Sequence, residues 1–78
     1  MTSISQTQLV YRQLGLRVEQ LRSTLGWTQM ELSKKVGISR ASIANLETGR
    51  QRVQLHQLER LAEAFGTSPK HLMRGIWS

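Results

Sequence analysis

Arg40 and Asn45 lie five positions apart in a stretch whose apolar residues recur at helical spacing. On a helical wheel turning roughly 100° per residue from Arg40, Ile43 and Leu46 fall near 300° and 240°. Arg40, Ala41, Ala44, Asn45 and Thr48 spread over roughly 0–140°, the opposite side. Such a helix locks one face into a core and offers Arg, Asn and small residues to the outside. An Arg can bond both acceptors of guanine and an Asn can bond adenine in the same bidentate way, while Ala41 and Ala44 allow close approach or touch a thymine methyl. Ser39 and Ser42 sit at the start of this helix, where free amides and the helix dipole favour a phosphate. Arg50 and Arg52 follow directly and suit the flanking backbone. Singly, Arg40 or Asn45 reads as an ordinary solvated residue. The set, joined to the turn described below, reads as a major-groove surface.

Other chemistries have less to work with. The chain holds no Cys, and His56 and His71 are fifteen positions apart. That leaves no thiolate nucleophile, no disulfide and no ordinary zinc site. Neither a grouped His and carboxylate set nor a Gly-rich phosphate loop is present, so we expect no enzyme, no metal and no cofactor. Eleven Lys and Arg stand against five acidic residues in 78, a net charge of +6 that favours a polyanionic partner. No apolar run approaches the roughly 18 residues of a membrane span. The start MTSISQTQ lacks the basic-then-apolar order of a signal peptide, which points to the cytoplasm.

Strand-like alternation is nearly absent, and the spacing predicts an all-α bundle of five short helices. Val10, Leu14, Val18, Leu21 and Leu25 draw one stripe along the first, ended by Gly26. Gly15 inside it costs about 1 kcal/mol relative to Ala and predicts fraying or a restart there. Thr28 to Glu31 fits a capping box that opens a second helix carrying Leu32 and Val36. Gly37 turns the chain sharply, and Ser39 caps the third helix with Ile43 and Leu46, closed near Gly49. The fourth holds Leu55, Leu58, Leu61, Ala62 and Phe65, with Gln54 a poor cap. Ser68-Pro69 starts a fifth, with Leu72 and Met73.

The stretch TQMELSKKVGISRASIANLETGR resembles the helix-turn-helix of phage repressor and Cro-type regulators, the xenobiotic-response-element family. Gly26-Trp27-Thr28-Gln29, Glu31-Leu32, Gly37-Ile38-Ser39, Ile43 and Leu46-Glu47 with Gly49-Arg50 stand in register, and the likeness runs from about Leu16 to Leu72. It implies a lambda-repressor-like domain over residues 14–75, flanked by an extension at 1–13 (an extra helical turn, a dimer arm or disorder) and a tail at 76–78. It implies that Arg40, Ala41 and Asn45 read bases, that Gln29 bonds a phosphate and buttresses the recognition helix, and that Ser39, Ser42, Thr48, Arg50 and Arg52 lie near the backbone. It also implies an ion pair between Arg22 and Glu47. The family commonly has Ala where this chain has Ser33, which fits if its hydroxyl bonds back within the helix.

Trp27 is expected where the first two helices meet, and Lys34 and Lys35 are expected in solvent. Family members without a second domain usually dimerise through the fourth and fifth helices, which here brings His56, Arg60, Leu72, Met73, Ile76 and Trp77 into question. The Ile76-Trp77 pair equally suits the chain's own core. The implied function is a DNA-binding transcriptional regulator: a homodimeric repressor or autoregulator on a palindromic operator, of bacterial, phage or mobile-element origin. Antitoxins and restriction–modification controllers are of this type. The rival is a protein-binding module that holds a cognate toxin, with DNA binding lost or secondary.

Overall fold

Ser5 starts the first helix. Its hydroxyl accepts the Gln8 N–H at 3.1 Å, and the Gln8 side chain accepts the Ser5 N–H at 3.0 Å. The computed structural model describes residues 5–76, where the chain is all-α. The elements are α1 (Gln6–Thr24), α2 (Gln29–Val36), α3 (Arg40–Glu47), α4 (Leu55–Ala64) and α5 (Pro69–Leu72). Residues 6–13 are helical and continuous with the rest of α1.

Gly15 does not interrupt α1. It is buried where α1 crosses α3, and a Cβ built on it would stand 2.2 Å from the Leu46 carbonyl oxygen and 2.9 Å from that of Glu47. The missing side chain lets the two backbones touch, a different reason for glycine than weak helix propensity.

Thr28 and Glu31 form the expected reciprocal cap on α2, with the Thr28 hydroxyl accepting the Glu31 N–H at 3.0 Å. The Ser33 hydroxyl, in the buried surface of α2, donates to the Met30 carbonyl at 2.7 Å. Gly37 ends α2 at φ 69°, the left-handed geometry that reverses the chain within two residues of the next cap. Gln54 caps α4 only in part: its N–H donates to the Gln57 side chain at 3.0 Å. At Ser68 the hydroxyl accepts from the His71 N–H at 3.1 Å and opens α5.

The core joins Leu14 and Val18 of α1, Leu32 and Val36 of α2, Ile43 and Leu46 of α3, and Leu61 and Ala62 of α4. Leu72, Met73 and Ile76 close it from the C-terminal end. Two expected core residues lie outside. Leu25 is half-exposed because it caps α1 as the chain turns away, and Leu55 is 80% exposed in the first turn of α4, ahead of its contact with α2. Trp27 reaches past the α1–α2 junction to stack on Phe65 at the end of α4, centroids 5.8 Å apart. Lys35 is exposed as expected and also places its Nζ 4.6 Å from the Trp27 ring centroid, a cation–π contact. Among the described residues no helix is long and apolar enough to cross a membrane.

Candidate nucleic-acid interface

The placement of α3 follows from its inner face. Ile43 and Leu46 are fully buried, whereas Arg40, Ala41 and Asn45 are exposed on the outer side. Ser39 caps the helix by accepting the Ser42 N–H at 3.1 Å. That bond consumes the Ser42 amide, leaving the Arg40 and Ala41 amides as the donors at this terminus, fewer than the sequence suggests. Ser39→Ala is expected to destabilise the domain by about 1 kcal/mol, the usual cost of a lost cap, measured by urea unfolding. An unchanged midpoint would show that the cap does not hold α3.

A chain of hydrogen bonds runs from this outer face into the protein. Arg40 Nη1 donates to Gln29 Oε1 at 3.3 Å, and Gln29 Nε2 donates to Glu47 Oε1 at 3.0 Å. Arg22 grips the same carboxylate at both oxygens, from Nε at 2.6 Å and from Nη2 at 3.1 Å. Its Nη1 donates to the Trp27 carbonyl at 2.7 Å. The Glu47 side chain is 2% exposed and that of Arg22 15%. The hydrogen bond to Glu47 raises the Arg22 pKa above its ordinary value; desolvation opposes it, and the charges of Glu47 and Glu19 reinforce it. This pair ties α1 to the end of α3, so it fixes the helix that carries Arg40 and Asn45. Gln29 stands between pair and surface, half-buried, at the first position of α2.

The remaining residues divide. Thr48 is exposed, but its hydroxyl donates to the Asn45 carbonyl at 3.1 Å and finishes α3. Ser42 is half-buried. Arg50 and Arg52 are exposed in the loop between α3 and α4. Arg12, which the sequence does not single out, lies against Gly49; a Cβ there would meet its Cα at 2.8 Å. A third arginine therefore stands at the base of the Arg50–Arg52 loop. Its signal was a basic residue on the solvent side of the α1 stripe, which is too common to notice.

At the other end the expected interface residues behave differently. Leu72, Met73 and Ile76 are 1%, 6% and 6% exposed, so their side chains are engaged within one copy of the chain. Arg60 is exposed on α4, and Trp77 lies outside the described residues. Among the described residues no three His, Cys, Asp or Glu side chains gather as metal ligands.

Comparison with known proteins matches this geometry. A family model for the helix-turn-helix domain covers residues 13–74. The chain is 42% identical over 55 residues to the competence pilus inhibition repressor of Acinetobacter baylyi, across 70% of this chain and 50% of that protein. It is 34% identical over 56 residues to the antitoxin HipB of Escherichia coli, across 72% of this chain and 60% of HipB. The chain thus spans half to three-fifths of these two relatives. Among solved structures, the restriction–modification controller C.AhdI of Aeromonas hydrophila superposes with TM-score 0.76 at 29% identity, covering 80% of this chain and 94% of that one. The P22 C2 repressor, solved with a synthetic operator, superposes with TM-score 0.73 at 31% identity, covering 80% and 94%. With these matches over the same residues that build the outward α3 face, the chain belongs to the helix-turn-helix family of phage-repressor and Cro-type DNA-binding transcriptional regulators.

Proposed function

We propose that this regulator is a repressor that binds a palindromic operator as a homodimer and controls its own promoter from the bacterial cytoplasm. Arg40, Ala41 and Asn45 read base edges in the major groove. Gln29, Ser39, Ser42, Thr48, Arg50 and Arg52 lie along the flanking backbone. The observation that carries the reading is the two-sided α3: Ile43 and Leu46 fully buried behind, Arg40 and Asn45 open in front. A single such helix touches few base pairs, and a two-fold dimer gains the specificity of two half-sites about one DNA turn apart.

Two measurements test this. Arg40→Ala is expected to cost about 1–3 kcal/mol of operator affinity and to relax preference at one base pair. Unchanged affinity and site preference in that variant would remove Arg40 from base reading. Affinity for a random duplex is expected to fall steeply with salt, by roughly 10³–10⁵ between 50 and 200 mM for a protein making six to ten phosphate contacts. Negligible binding at every salt would instead favour a module that holds a partner protein, the reading suggested by the likeness to an antitoxin.

A further inference from the structure

Arg17 sits midway along α1 and is held in an unusual way. Its Nη1 donates to the Leu72 carbonyl at 3.0 Å and also to the Arg74 carbonyl, which together occupy both N–H groups of that nitrogen. The guanidinium plane is therefore fixed by the end of α5. Among the described residues no carboxylate pairs with Arg17, and its Nε and Nη2 have no acceptor there. That leaves three N–H donors on an immobilised arginine, the arrangement that meets a carboxylate side-on.

A cleft of about 360 Å³ opens at this arginine, between α1, the α4–α5 turn and α5. Leu21, Phe65 and Leu72 give it apolar walls, Arg17, Thr67, His71 and Arg74 supply its polar groups, and no acidic side chain lines it. The volume lies in the range of small-ligand sites, and apolar walls with a few convergent polar groups are their usual make-up. The position is remote from the DNA-facing loop. Phe65 follows the last residue of α4 and the Arg50–Arg52 loop precedes its start, so the two lie at opposite ends of a ten-residue helix about 15 Å long.

We propose that this cleft binds a small organic monocarboxylate, its carboxylate on Arg17 and Arg74 and its apolar body on Leu21, Phe65 and Leu72. A dianion suits the site less well, because the largely apolar walls cannot replace its water. The cleft is of a size to hold a small molecule rather than a protein segment. The inference stands on the cleft itself and does not depend on the operator-binding reading.

The test is a two-dimensional amide NMR titration of the full chain with phenylacetate, phenylbutyrate and hexanoate. Phenylethanol and hexanol serve as neutral counterparts. At least one acid is expected to give saturable shifts centred on Arg17, Leu21, Phe65, His71 and Arg74, and the alcohols are expected to bind more weakly. Arg74→Gln, on an exposed side chain, should weaken the acid by roughly tenfold or more, the scale of one lost charge-assisted hydrogen bond. Lys70→Gln, on α5 but outside the cleft, should leave it within about twofold, since it removes only a screened charge. Arg17→Gln should weaken binding too, and retained amide dispersion elsewhere will show that the fold survives it. The proposal is overturned by no saturable shift from any of the three acids, by equal binding of the alcohols, by shifts centred on α3 and the Arg50–Arg52 loop, or by equal losses in the Arg74 and Lys70 variants.

Discussion

Glu47→Ala is expected to cost about 3–5 kcal/mol of stability, the usual consequence of breaking a buried ion pair from one side. Glu47 is 5% exposed and receives bonds from Arg22 and Gln29. Without the carboxylate, Arg22 keeps its charge in a sheltered place with only the Trp27 carbonyl to accept from it. For a domain of this size each kcal/mol moves the melting temperature by roughly 4–8 °C, so the variant should melt far below the wild type or fail to fold at ambient temperature. Replacing both partners with apolar residues, Arg22→Met with Glu47→Leu, should recover much of the loss, because a pair exchanged for packed hydrocarbon is often neutral. Thermal melts of the single and double variants decide it. A Glu47→Ala protein melting within a few degrees of wild type, on that same scale, would show that the pair contributes no more than an exposed one.

Gly15→Ala is expected to reverse the usual sign of a helical Gly-to-Ala change. In an exposed helix interior the exchange stabilises by about 1 kcal/mol. Here the new methyl would stand 2.2 Å from the Leu46 carbonyl oxygen, a backbone atom with no rotamer to escape into. Either α1 lifts off α3 or α3 shifts, and overpacking of this kind costs about 1–3 kcal/mol. Urea unfolding gives the sign, and operator affinity should fall with it because α3 carries the exposed Arg40 and Asn45. Gln13→Ala, two residues away and exposed, serves as the control and should change stability little. A more stable Gly15→Ala protein would rule out the close crossing of α1 and α3.

Local rules made most of the bundle readable. Thr28 with Glu31, Ser39, Ser68-Pro69 and the glycine after each helix are short-range signals, and each governs the end it marks. The same kind of signal stands at Ser5 and Gln8, where S-x-x-Q spacing sets the start of α1. What the chain does not spell out is which neighbour a residue meets. Gly15 reads as a weak point until α3 is placed beside it. Leu25 and Leu55 keep the apolar rhythm yet lie at helix ends, where the rhythm has no partner to face. Leu72, Met73 and Ile76 read equally well as interface or core, because the choice depends on the path of α5 back over α1. The outer face of α3 was legible because its periodicity and its turn agree. The Arg17 bonds to α5 were not, since they join residues more than fifty positions apart through backbone carbonyls that carry no side-chain signature.

The bond from Arg40 to Gln29 bears on the thermodynamics of recognition. An arginine free in solvent samples many rotamers, and ordering such a side chain costs up to about 2 kcal/mol. Arg40 is steered toward one of them by an amide that is itself anchored to Glu47. On the proposed base-reading role, part of that ordering is complete before a duplex arrives. Freed from Gln29, the same guanidinium would dock with a larger entropic penalty, even though every contact it finally makes is unchanged.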